Sequence, residues 1–219
     1  MIPIVGLSGG IGSGKSTVSA MLEELGALIV DADLIVHELQ APGMPLLREI
    51  AEAFGDHMLD PDGALDRAAL GDIVFRDPGA RKALGEIMHP PVIAEMIRRT
   101  EQGVEDRHPL VVLDIPLLFE GKQAGTGSAV AFDYDALVAV WVPRQVQIFR
   151  TMQRDGCDEA EAERRVKAQL DIDEKRRMAT HVIDNSGHRD DTREQVEQLY
   201  EELAYDPAAS AEPEDAEEA

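Results

Sequence analysis

The chain has 219 residues, 44% of them hydrophobic and 29% charged, a balance that suits a soluble globular domain with room for a smaller lobe. Its formal net charge of −22 excludes sequence-independent nucleic-acid binding, which needs a basic footprint, and its one cysteine, Cys157, excludes a disulfide framework and suits a reducing compartment. No apolar run reaches the ~18 residues that span a bilayer, and MIPIVGL lacks the length and basic leader of a secretory signal, so a cytoplasmic protein is expected.

Five short apolar, β-branched runs, each bounded by Gly, Pro, Asp or Asn, suit strands buried on both faces of a parallel sheet. The first is IPIVGL (2–7). It runs into GLSGGIGSGKST, from Gly6 to Thr17, in which Gly9, Gly14, Lys15 and Ser16 fit the phosphate-loop pattern. Glycines there let successive N–H groups turn toward phosphate oxygens. A helix starting near Lys15 adds its positive N-terminal end. Lys15 can reach the β- and γ-phosphates, and the Ser16 hydroxyl can ligate Mg²⁺. Val18, Leu22 and Leu25 at helical spacing predict the helix, and Gly26 predicts its stop.

The second run is ALIVD (27–31), and Asp31-Ala32-Asp33 is expected to close that strand. Alternation puts both carboxylates on one side of the backbone, where one near a γ-phosphate can accept a hydroxyl proton. The same residues suit a helix N-cap, since Leu34, Ile35 and Leu39 follow at roughly helical spacing. Residues 32–108 then hold several helical patterns and predict an inserted helical lobe. These patterns are Pro45 to Phe54, a helix opened by Asp77-Pro78, and a third opened by His89-Pro90-Pro91 and carrying Val92, Ile93, Met96 and Ile97.

The third run, PLVVLDI (109–115), ends near Asp114, a candidate partner for the Mg²⁺ shell and otherwise a buried turn carboxylate. GKQAGTGS (121–128) reads as a flexible surface loop. ALVAVWV (136–142) is the fourth run. Nine of the chain's 21 basic residues then fall between Arg144 and Arg177. They read either as solvated helix faces or as a lid that surrounds a transferring phosphoryl group and excludes water. Arg150 and Arg154, four apart, share a helix face. HVID (181–184) is the last run, and six acids with no bases between Asp206 and Ala219 read as a disordered, solubilising tail. Strands alternating with helices predict a doubly wound α/β domain.

Many families share the phosphate loop. The ordered set GLSGGIGSGKST, DAD (31–33), FG (54–55), DG (62–63), LDR (65–67), HP (89–90), DIPLLFE (114–120), QIFRTMQRDG (147–156), AQ (168–169) and VIDNSG (182–187) resembles the dephospho-coenzyme A kinase family over residues 2–203. The resemblance implies a three-layer α/β/α P-loop NTPase fold with a five-stranded parallel sheet. Its core would comprise 1–33, 104–143 and 179–204, with a helical CoA-side lobe over about 34–103 and a lid over about 144–178; the kinase domain then spans 1–204 and the tail 205–219. It implies ATP and Mg²⁺, with the ribose 3′-hydroxyl of dephospho-CoA as acceptor, and no obligate protein partner. It makes Asp33 the base and Gly10, Ile11, Gly12, Ser13, Gly14, Lys15, Ser16 and Thr17 the ATP loop. Arg150 and Arg154 become lid positions facing phosphate, Asn185 an adenine contact, and His89 and Leu117 substrate-side residues, although a lone histidine equally suits a structural role. Two positions depart from the pattern: Ser8 stands where threonine is commoner, and Thr180 where aspartate is usual. A kinase of nucleosides or nucleotides, and a nucleotide-dependent switch acting on a partner surface, are the alternative readings.

Overall fold

The structure, a computed structural model, describes residues 1–205; the acidic tail read from the sequence lies outside the described residues. The chain begins β1 (Ile4–Gly9), α1 (Lys15–Glu24), β2 (Leu28–Asp31), α2 (Ala32–Leu39) and α3 (Pro45–Phe54). A single 3₁₀ turn (Asp56–Met58), α4 (Arg67–Arg76) and the long α5 (Pro78–Glu105) lead to β3 (Val111–Asp114). Then come α6 (Leu118–Ala124), α7 (Ser128–Ala131), β4 (Ala136–Trp141), α8 (Arg144–Asp155), α9 (Glu159–Lys167), α10 (Ile172–Met178), β5 (His181–Asp184) and α11 (Arg189–Leu203).

The five strands form one parallel sheet in the order β2-β3-β1-β4-β5. Parallel pairing requires crossovers, and the helices that make them cover both faces, which is why the strands read as continuous apolar runs. Side chains alternate across the sheet. Val5, Leu7, Val112, Val138 and Val140 face Val18, Met21 and Leu22 of α1 and Val196 and Leu199 of α11. Val30, Val111 and Leu113 face Ile35 of α2, Val92 and Met96 of α5 and Leu118 of α6. Two satellite clusters stand outside this three-layer core. One is built from Leu46, Ile50, Met58 and Leu70 of the α3–α4 region, and the other from Ile148, Ala162 and Val166 of α8 and α9. The connection from β1 passes to β2 on one side and that from β3 to β4 on the other, so a crevice opens at the carboxyl ends of β1 and β3.

Three local expectations are corrected. His89-Pro90-Pro91 does not open a helix, because α5 runs through both prolines. Each interior proline removes a helix hydrogen bond. Packing holds the helix together, since Leu84, Ile87 and Met88 before the prolines join the α3–α4 cluster while Val92 and Met96 after them join the sheet core. The stretch 121–128 is not a loop throughout. Residues 121–124 complete α6, seeded by the fully buried Leu118 and Phe119. Gly121 lets the helix lie close to Ala129, whose Cβ is 2.7 Å from where a Cβ on Gly121 would sit. Finally, β2 stops at Asp31, and Asp33 lies in the first turn of α2. Asp31 is the last residue of β2 to pair with β3, opposite Asp114.

Candidate active site

A cavity of about 460 Å³ lies in the crevice at the carboxyl ends of β1 and β3. Gly9 to Gly12 and Gly14 to Ser16 form one wall, Asp33 and Pro116 another, and Arg150, Arg154 and Gln169 close over it. Five segments that are remote in sequence therefore meet there.

The glycine loop turns through left-handed residues at Gly12 (φ 74°) and Gly14 (φ 83°), the second being the N-cap of α1. The loop is also packed from outside. A side chain at Gly12 would approach the backbone carbonyl of Gln147 to 2.6 Å, and one at Gly10 would overlap the Gln147 amide. The Ile11 peptide is clasped from both sides: its N–H donates to Gln169 Oε1 (2.8 Å) and its carbonyl accepts from Gln147 Nε2 (3.0 Å). Close approach of α8 is thus a second reason for the glycines.

Lys15, the first residue of α1, pairs with Asp114. Asp114 is 2% exposed, and its other oxygen accepts from Ser19 Oγ at 2.6 Å. Ser16 and Thr17 follow in the first turn, with Ser16 exposed on the cavity wall. Among the described residues no group of three or more His, Cys, Asp or Glu side chains could hold a metal ion.

Asp31 resolves the ambiguity at the end of β2. Its carboxylate caps α2, accepting from Leu34 N at 3.0 Å. Asp33 is thereby left to face the cavity, two residues past a strand end that pairs with Asp114. Its pKa is raised, first by partial burial and next by the Asp31 carboxylate; Lys15 pulls it down and Asp114 adds to the rise. These groups therefore gather at one point three carboxylates and one ammonium, an excess of negative charge.

Arg150 reaches the loop, donating to the carbonyls of Ser13 (3.4 Å) and Asn185 (3.0 Å). Arg154 lines the cavity with its guanidinium turned to Asp155, which also holds Arg165. Asn185 is 8% exposed and does not line the cavity. Its Nδ2 donates to the Ser13 carbonyl at 2.8 Å and its Oδ1 accepts from Thr192 Oγ1 at 2.9 Å. Ser13 is itself fully buried and does not line the cavity; its carbonyl is taken by Asn185 and Arg150. His89 and Leu117 lie apart from Asp33, in a neighbouring cavity of about 300 Å³ that Glu120 also lines. Pro116 lines the first cavity and Leu117 the second, so the two share a wall.

Sequence reasoning missed Gln147, Gln169, Glu120 and Lys175. The first three lie within QIFRTMQRDG, AQ and DIPLLFE and Lys175 within the basic stretch 144–177, but their partners lie on other elements. Ser8, the departure from threonine, is fully buried and donates to the Pro116 carbonyl at 2.9 Å. Thr180 belongs to the sheet edge, where its hydroxyl bonds the backbone of Leu137.

Comparison with known proteins agrees with this geometry. The family model described as "Dephospho-CoA kinase" matches residues 3–191. A curated dephospho-CoA kinase of Symbiobacterium thermophilum is 51% identical over 194 residues, covering 89% of this chain and 78% of that protein. Among solved structures, TT1252 from Thermus thermophilus superposes with a TM-score of 0.76 at 33% identity, over 92% of this chain and 97% of that one. Dephospho-CoA kinase from Campylobacter jejuni superposes with a TM-score of 0.65 at 26% identity, over 92% and 96%.

Proposed function

Because the chain belongs to the dephospho-CoA kinase family and so catalyses the final step of CoA biosynthesis, we propose that the transfer takes place in the cavity beneath the glycine loop. ATP supplies the phosphoryl group, and its triphosphate lies along Gly10–Thr17, met by loop amides and the N-terminal end of α1. Lys15 exchanges Asp114 for the β- and γ-phosphates. Asp33 accepts the proton of the ribose 3′-hydroxyl. The freed oxygen forms a bond to the γ-phosphorus as the bond to the bridging oxygen breaks, leaving ADP and CoA. The raised pKa of Asp33 suits this role, since a weaker carboxylate acid is a stronger base. The observation that carries the reading is the division of labour at the end of β2, where Asp31 takes the cap and leaves Asp33 facing Lys15's cavity.

Ser16 and Asp114 would hold Mg²⁺, which when bound draws off negative charge at the β- and γ-phosphates. The residues fit such an ion. Both supply oxygen donors, and the excess of carboxylates around Asp33 calls for a cation. Arg150 and Arg154, on α8, would face the transferring phosphate once Arg154 leaves Asp155. The α8–α9 pair, with its own small core, acts as the lid. The helices α2–α5 form the CoA-side lobe, with His89 and Leu117 contacting the part of dephospho-CoA that extends into the second cavity. Dephospho-CoA and ATP are then the binding partners. Among the described residues no helix is long and apolar enough to cross a membrane.

The test is direct. Pure protein is incubated with Mg-ATP and dephospho-CoA, and the products are read by mass. CoA and ADP in equal amounts are expected. Folded, ATP-binding protein that yields no CoA, or that phosphorylates nucleosides instead, overturns the reading.

A further inference from the structure

Lys175 of α10 is fully buried, which is uncommon for a lysine. Its ammonium has three donors, and three acceptors surround it: Glu120 Oε1 at 2.8 Å, the Gly9 carbonyl at 3.2 Å and the Pro116 carbonyl at 3.4 Å. Gly9 is the last residue of β1 and the foot of the glycine loop. Pro116 lies between the two cavities, and Glu120 lines the second. One side chain thus holds the walls of both.

The backbone beneath it is fixed in turn. Asp171 caps α10, and Asp173 accepts from the Trp141 indole N–H at 2.7 Å, tying the helix to β4. Glu120 Oε1 also accepts from Leu170 N at 3.0 Å, so the segment entering α10 is held by the same carboxylate. Burial lowers the Lys175 pKa, and Glu120 opposes that shift.

The geometry points to Lys175 as a positioning residue that sets two peptide planes for phosphoryl transfer, a role that rests on the cavity being the transfer site. A trans peptide is rigid, so fixing a carbonyl also fixes the N–H across the same bond. Holding the Gly9 carbonyl aims the Gly10 N–H away from Lys175, at the start of the phosphate-facing loop. Holding the Pro116 carbonyl does the same for Leu117 N–H on the acceptor side. A compact ammonium can satisfy acceptors in three directions, whereas the planar fork of arginine cannot. Lys175 touches neither substrate in this scheme; it acts through Gly9 and Pro116.

The experiment separates positioning from mere stability. Lys175→Met takes the ammonium away from the half-buried Glu120 carboxylate, which keeps only the Leu170 N–H, and is expected to lower Tm. Lys175→Met combined with Glu120→Leu removes both charges and is expected to recover most of that Tm, since well-packed apolar pairs replace buried ion pairs at little cost. The Gly9 carbonyl loses this side-chain donor in both variants, and the Pro116 carbonyl keeps only its bond from Ser8 Oγ (2.9 Å). kcat is therefore expected to stay down by about 10²-fold in the double variant, with KM for ATP changing much less. A double variant that regains kcat together with Tm overturns the proposal. A second measurement needs no variant: NMR of the wild-type protein should show scalar couplings from Lys175 Nζ to the carbonyl carbons of Gly9 and Pro116, and their absence overturns it as well. Failure of the wild type to form CoA would strike the proposed function while leaving these couplings untouched.

Discussion

Asn185 is the sharpest place to separate a structural from a nucleotide-contacting role. Replacing it with leucine removes two buried bonds, one to the Ser13 carbonyl at 2.8 Å and one from Thr192 Oγ1 at 2.9 Å. A neutral buried hydrogen bond contributes about 1 kcal/mol, and a partner left unsatisfied costs about 1–3. Neither partner is wholly abandoned. Ser13 keeps a long contact from Arg150 (3.4 Å), and Thr192 one to the His188 carbonyl (3.5 Å). Asn185→Leu should therefore cost about 2–4 kcal/mol, the lower half of the range for two such partners. In a domain of this size that lowers Tm by roughly 5–15 °C. Thr192→Val alone should cost less. The double variant should cost little more than Asn185→Leu, because the orphaned hydroxyl is gone, giving a coupling energy of about 1 kcal/mol. Urea unfolding of the four proteins measures the cycle. Additivity within about 0.5 kcal/mol refutes the bond as drawn. An unchanged Tm with a lost preference for ATP over GTP would show that the amide serves adenine instead.

Other outcomes follow from the same structure. Asp33→Asn should keep ATP binding and lose about 10²–10⁴ in turnover, measured by coupled ADP release; near-wild-type turnover would remove Asp33 from the chemistry. The raised pKa of Asp33 means its neutral form contributes stability that is present below its unfolded pKa and lost as pH rises through the folded pKa. Asp33→Asn should therefore hold or raise Tm at neutral pH, with any gain vanishing in acid. The acid limb of the wild-type kcat/KM profile should lie above the ordinary carboxylate range. It should move down in Asp31→Asn, which removes a like charge yet keeps a residue able to cap α2. Gly12→Ala and Gly63→Ala meet the same backbone penalty, at φ 74° and 76°, but only the first meets a neighbour, so only Gly12→Ala should weaken ATP binding in calorimetry. Phe119→Ala, at a fully buried site, should cost about 3–5 kcal/mol in denaturant unfolding.

The elements legible in the sequence share one property: their geometry is set by neighbours in the chain. The five strands appear as apolar runs because both sheet faces are covered. The loop from Gly9 to Ser16 could be assigned a phosphate because left-handed turns, a helix start and a lysine all lie within eight residues. Where local signals competed, the sequence misled. Two prolines and a glycine-rich stretch announced breaks at 89–91 and from 121 on, yet burial of Val92, Met96, Leu118 and Phe119 carries α5 through the first and α6 on to Ala124, leaving a break only at 125–127.

The division between Asp31 and Asp33 was also undecidable locally. Either carboxylate could cap the helix; the partnering of β2 with β3 ends the strand at Asp31 and hands the cap to it. Sequence alone thus determined the fold class, the family and the left-handed turn of the glycine loop into α1. The tertiary structure decided what surrounds that loop. Gln147, Gln169, Lys175 and Asn185 reach the glycine loop from more than a hundred residues away, and none differs in type from the solvated polar residues beside it. Short-range conformational preference is written into consecutive letters, whereas a hydrogen bond across the sheet exists only once the strands have fixed where each helix lies.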